Sequence, residues 1–243
     1  MGCSHLAGVD RPPRPWRVAL GVALAAICVL AVAGRAWATT AYVTNAESNS
    51  VTPIDVATNT PGSEIKVGTS PVAIAITPNG KTAYVTNSES NSVTPIDVAT
   101  NTPGSEIKVG RAPFGIAITP NGKTAYVTNS GSNSVTPIDV ATNTPGRKIK
   151  LGPAPVGIAI TPNGKTAYVT NAENYPFARS TVTPIDVATN TPGRKIKVGE
   201  APLAIAITPN GKTAYVTNAE NYSDRPSTVT PIDVATNTPG SEI

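Results

Sequence analysis

An all-β repeat fold is what the sequence predicts, and three observations predict it. The block VTPIDVATNTPG occurs five times without a change, starting at Val51, Val93, Val135, Val182 and Val229. The tetrapeptide YVTN starts at Tyr42, Tyr84, Tyr126, Tyr168 and Tyr215, so the first three spacings are 42 residues and the last is 47. Helical periodicity is absent after residue 38, and short alternating runs separated by Pro, Gly and Asn take its place. A period near forty with four strands per unit is the spacing of a β-propeller.

Turn chemistry divides each unit into four strands, a to d. Strand a is Val72 to Ile76, with Val72, Ile74 and Ile76 on one side and Ala73 and Ala75 on the other. Both faces are apolar, as a strand sandwiched between neighbouring sheets requires. Thr77-Pro78-Asn79-Gly80 reads as a hairpin in which Pro presets φ and Gly supplies the left-handed residue. Strand b is Thr82 to Thr86, strand c Val93 to Val98, and strand d Glu106 to Val109. The charges on Glu106 and Lys108 suit an outer edge that must discourage pairing with other chains. Strand c carries a proline in every unit (Pro53, Pro95, Pro137, Pro184, Pro231), which removes a ladder donor and predicts a bulge at each.

The first 38 residues read as an address. Arg11, Arg14 and Arg17 form a basic head, Val18 to Gly34 is an apolar run, and Ala36-Trp37-Ala38 is a small-x-small cleavage site. This is the order of a secretory signal peptide, with cleavage expected after Ala38 and the product secreted, periplasmic or at the cell surface. Retained, the same run would approach a membrane anchor, the sole membrane contact expected. Cleavage removes the only His (His5), both Cys (Cys3, Cys28), both Trp and the sole Met. Fifteen basic residues then face fourteen acidic ones, a net of +1, so the basic excess needed to hold nucleic acid is missing.

The units, 39–68, 69–110, 111–152, 153–199 and 200–243, resemble the YVTN family of β-propeller repeats found in surface-layer and other exported proteins. The resemblance covers residues 39–243 and rests on YVTN, the Ile-Asp of strand c, the Ala-Thr-Asn-Thr turn and ITPNGK. It implies a radial ring, often of seven blades, and implies no assigned reaction. By this reading the array starts at strand b of its first unit and stops inside strand d of its fifth, giving nineteen strands. An incomplete sequence from a larger propeller and a five-unit object closed by another route both fit that count.

Chemistry has few places to be. Without His or Cys, a Ser-His triad, a thiolate nucleophile and a His- or Cys-ligated zinc site are all excluded from residues 39–243. Asp55, Asp97, Asp139, Asp186 and Asp233 recur in every unit. Such symmetric carboxylates are expected to cap the Ala-Thr-Asn-Thr turn rather than to catalyse. An Asp-x-Asp-x-Asp calcium loop is missing, so neither metal nor cofactor is expected.

Departures from the repeat say more. The a–b and c–d links share one face of a four-stranded blade and are constant, while the b–c and d–a links share the other and vary. Thr69, Arg111 and Glu200 fall on d–a links and are candidates for the mouth of the channel. Units four and five each carry five additional residues in the b–c link. These place Tyr175, Phe177, Arg179, Tyr222, Asp224 and Arg225 on neighbouring loops, residue types suited to recognition. In strand d, Ser-Glu at 63–64, 105–106 and 241–242 contrasts with Arg-Lys at 147–148 and 194–195, which solvated edge charges explain.

The functional expectation is an exported, non-catalytic propeller for display, adhesion or contact with a protein or cell-envelope component. The alternatives are a small-molecule-binding propeller enzyme of lactonase or quinoprotein type, and a fragment without a fold of its own.

Overall fold

The computed structural model describes residues 40–172, 180–219 and 226–243. They form five antiparallel sheets in chain order, one per repeat, stacked as the blades of a β-propeller. The second blade shows the plan. Strand a is Pro71–Ile76, b is Thr82–Asn87, c is Ser92–Asp97, and d comes in two short pieces, Thr102–Pro103 and Ile107–Lys108. Blades three and four repeat this order; the described part of blade one begins at strand b, Thr40–Asn45. In blade five, Ile243 exchanges both backbone hydrogen bonds with Val229 at 2.9 Å, where strand d pairs with c. Splitting strand d raises the described strands from the expected nineteen to 23 segments.

The expected bulge at the strand-c proline is found in the opposite strand. The b–c ladder runs without interruption through Tyr84↔Pro95, and its counterparts do the same in the other blades. Val98 donates to the Lys81 carbonyl on the strand-b side, while the Pro95 carbonyl accepts from Gly104 at 2.7 Å on the strand-d side. Because backbone groups alternate along a strand, the donor missing from Pro95 also points toward d and costs the b–c ladder nothing. Between Val93↔Ile107 and Ile96↔Pro103, two residues of c face three of d, so the irregularity lies at Gly104-Ser105-Glu106. A second irregularity sits in strand a, where Val72 and Ala73 oppose Thr86 alone.

The turns follow the sequence. Gly80 donates to the Thr77 carbonyl at 2.8 Å with φ +70°, and Asn79 Oδ1 accepts from the Thr77 hydroxyl and the Lys81 amide. In the c–d turn Asn101 takes the left-handed conformation, φ 54°, which Asn tolerates better than other non-glycine residues.

Among the described residues, no blade has a core of its own. Each of the four apolar clusters straddles a seam: Tyr42, Val51 and Ile65 of blade one pack on Ile74, Ala83, Val85 and Ile96 of blade two, and the pattern recurs at the next three seams. Burying one such side chain contributes about 1.5–3 kcal/mol, so stability comes from stacking.

Candidate functional site

The four letters of YVTN have separate structural roles. The Tyr84 hydroxyl crosses the seam to Asn143 Oδ1 of blade three at 2.6 Å; Tyr42, Tyr126 and Tyr168 reach Asn101, Asn190 and Asn237 at the same distance. Val85 is buried in the seam cluster. The Thr86 hydroxyl accepts the Ala73 amide at 3.0 Å, freed by the strand-a bulge, and donates to the Phe114 carbonyl of the next blade at 2.8 Å. Asn87 is buried, its amide nitrogen donating to Ser92 Oγ and Thr94 Oγ1. Gly68 lies so close to Asn87 that a β-carbon there would fall 2.7 Å from the amide nitrogen. The threonine bridge was not read from the sequence, because it depends on the one-residue slip in strand a.

Strands a of successive blades lie side by side and form the innermost layer. In the four blades that show this strand it reads PVAIAI, PFGIAI, PVGIAI and PLAIAI. Its side chains therefore include none that is polar or titratable. Among the described residues, no group of three or more His, Cys, Asp or Glu is placed to hold a metal.

The recurring aspartates cap turns, as the sequence suggests. Asp97 Oδ1 accepts from the Thr100 amide at 2.9 Å and its hydroxyl at 2.8 Å, and Asp139, Asp186 and Asp233 do the same with Thr142, Thr189 and Thr236. Asp55 accepts from the amides of Ala57 and Thr58. The threonine hydroxyl bond, followed by the amide bond, holds the Asp97, Asp139, Asp186 and Asp233 carboxyls below the usual range. Burial, and after it the charge on the neighbouring blade's aspartate, pushes the four seam tyrosines above their ordinary value.

On the variable face the two links are joined in blades two to five. The Thr69 carbonyl accepts from the Glu89 amide at 3.2 Å and the Ser70 carbonyl from the Ser88 amide at 2.8 Å. Arg111 and Ala112 accept from Gly131 and Ser130 in the same way. The preceding blade clamps the link too, since Asn49 Oδ1 and Asn91 Oδ1 accept the Ser70 and Ala112 amides at 2.8 Å. Ser70, Ala112, Ala154 and Ala201 sit at φ 45–56°, a strained conformation for residues other than glycine that these bonds hold in place. Thr69 and Arg111 are exposed at the entry to strand a, and Glu200 is half-buried at the equivalent place. Tyr175, Phe177, Arg179, Tyr222, Asp224 and Arg225 lie outside the described residues, as does the leader, 1–38. In blade four, Ser180 at the edge of the inserted segment takes over the clamp, its hydroxyl accepting the Ala201 amide at 3.2 Å.

No family model and no curated protein matches the sequence. Solved structures do. Kuenenia stuttgartiensis hydrazine synthase superposes with a TM-score of 0.75 at 32% identity, over 82% of this chain and 61% of that one. A functionally unknown protein from Desulfotomaculum acetoxidans DSM 771 superposes with a TM-score of 0.69 at 20% identity, over 83% and 64%. The second likeness concerns the fold alone. The chain spans about three fifths of the length of these neighbours.

Proposed function

We propose that this chain is an exported, non-catalytic propeller of the YVTN type, a scaffold that holds a protein or a cell-envelope component on the face bearing its b–c and d–a links. One observation carries the reading. The innermost strand, where a propeller enzyme would gather its reactive groups, is apolar in every blade that shows it. All the insertion and most of the substitution fall instead on the opposite variable face, whose links are clamped into a rigid rim. Rigid scaffolds with variable loops are built for recognition. Tyr175, Phe177, Arg179, Tyr222, Asp224 and Arg225 are the candidate contacts, and Thr69, Arg111 and Glu200 are the candidates for the mouth of the channel. Excising the five-residue insertion from units four and five should abolish attachment to cell-envelope preparations while melting stays unchanged. Attachment that survives the double excision would refute the assignment.

A second reading, favoured by the 32% identity to hydrazine synthase, makes the chain a propeller module of a catalytic assembly. Metal content and a lactone-hydrolysis assay on the isolated protein separate the two. Stoichiometric metal with turnover supports the second.

A further inference from the structure

The outer edges of the blades differ in charge although their backbones are alike. In blades one and two strand d runs Ser-Glu-Ile-Lys, and Lys66 and Lys108 lie 3.8 and 3.6 Å from the Glu64 and Glu106 carboxylates. Each of these edges is therefore neutral. In blades three and four the same positions read Arg-Lys-Ile-Lys. Arg147, Lys148 and Lys150, and then Arg194, Lys195 and Lys197, put three positive charges on each edge and no negative one. All six are exposed, while Ile149 and Ile196 among them are buried in the seams.

The two basic edges adjoin. Ile149–Lys150 of blade three packs beside Thr191–Pro192 of blade four, the segment that leads into Arg194. One seam earlier the same place is a groove of about 460 Å³, lined by Glu106 and Lys108 of blade two and by Thr142, Asn143 and Pro145 of blade three. The repeat puts Lys148 and Lys150, with Thr189, Asn190 and Pro192, at those positions between blades three and four. The turn-capping aspartates recur in every blade and leave the contrast intact. Cations gathered on adjoining edges repel one another, a cost that a bound anion reverses.

We propose that the adjoining rims of blades three and four are a second interaction surface, distinct from the links of the variable face, and that it binds an acidic polysaccharide, a polymer of sugar carboxylates. The chemistry of the edge selects this partner. A protein partner needs an aromatic or similar anchor at the interface centre, a membrane needs apolar side chains that insert, and single-stranded nucleic acid needs aromatic faces on which bases stack. The edge presents none of these, because the only apolar side chains of Arg-Lys-Ile-Lys are the buried Ile149 and Ile196. What it does present is cationic, beside turns whose exposed Thr and Asn suit the hydroxyls of a sugar. Arg147 and Arg194 can each grip a carboxylate with two parallel hydrogen bonds, and the four lysines add attraction that salt screens.

Titration of the full chain with polygalacturonate, read by calorimetry over a range of salt, tests this. Binding at low salt that weakens steeply as salt rises is expected. A chain carrying Arg147→Ser, Lys148→Glu, Arg194→Ser and Lys195→Glu has the edge sequence of blades one and two. It should melt as the wild type does and bind at least about tenfold more weakly. The converse change, Ser105→Arg with Glu106→Lys, extends the basic rim onto blade two and should tighten binding by about threefold or more. Neither variant touches the insertions of units four and five, so attachment through the variable face stands or falls separately. Three results would each overturn the proposal: a wild-type chain indifferent to polygalacturonate at low salt, binding unchanged in both variants (as expected if the arginines of residues 1–38 do the holding), or tighter binding of poly-glutamate or single-stranded DNA, which would make the partner a peptide or a nucleic acid.

Discussion

The Tyr84 hydroxyl of blade two donates to Asn143 Oδ1 of blade three at 2.6 Å, across 59 residues of sequence. The acceptor is available because Asn143 is left-handed, φ 56°. The constant c–d turn is thus the socket for the constant tyrosine of the blade before it, and the two most invariant blocks of the repeat are one interaction seen from its two sides.

The threonine bridge predicts a cost that simple burial does not. Replacing Thr128 by Val keeps the volume but strands the Gly115 amide and the Val156 carbonyl, now bonded at 2.8 and 2.7 Å. Losing two partly buried bonds should destabilise the protein by about 2–3 kcal/mol. Denaturant unfolding measures it, with a Ser substitution as the variant expected to recover most of the loss.

Alkali should open the seams. Tyr42, Tyr84, Tyr126 and Tyr168 are raised above 10.0 in the fold, chiefly by burial. A group raised on folding stabilises fully below its unfolded value and loses that contribution as pH climbs through the folded one. Melting temperature should therefore fall steeply above pH 10 as the near-ultraviolet absorbance of tyrosinate rises. The aspartates act in the opposite direction. Asp97, Asp139, Asp186 and Asp233 are lowered from 3.8 by their threonine bonds, so their contribution holds above that value and is lost as pH falls below it. Asp139→Asn should remove one of four equal contributions, making the acid limb shallower, and leave the alkaline limb largely in place.

Gly157 holds the place that Ala73 holds in blade two, so a methyl group there requires the next blade to give way rather than to unfold. A β-carbon there presses into the Leu203 carbonyl of the next blade. Gly157→Ala should cost about 1–3 kcal/mol through overpacking and should loosen the seam between blades four and five selectively. Amide exchange resolved by blade checks this, with the faster exchange expected in strand Pro202–Ile207.

Much of the fold was legible in the residues. The all-β class, the four-strand units, the left-handed Gly80 and the turn-capping aspartates all follow from spacing and from the chemistry of short polar side chains. Strand d was drawn too simply. Its split at Gly104 answers the geometry of Pro95 in another strand, and no window along the chain contains both partners of that contact. The two faces of the blade were also legible, since Thr69 and Glu89 are joined where link counting places them. What could not be read were the contacts between blades. Tyr84 looks the same in sequence whether it faces solvent or a socket, and Thr86 becomes a bridge only after strand a slips by one residue against it.

A double-mutant cycle on Tyr84 and Asn143 tests the stacking of blades most directly. Tyr84→Phe removes the hydroxyl alone, and Asn143→Gly removes the acceptor while permitting φ 56°. If blades two and three meet as described, the two losses should fall short of additivity by about 1 kcal/mol, the net value of one hydrogen bond. Strictly additive losses would mean that the two residues do not touch, and that the repeats are not stacked as blades.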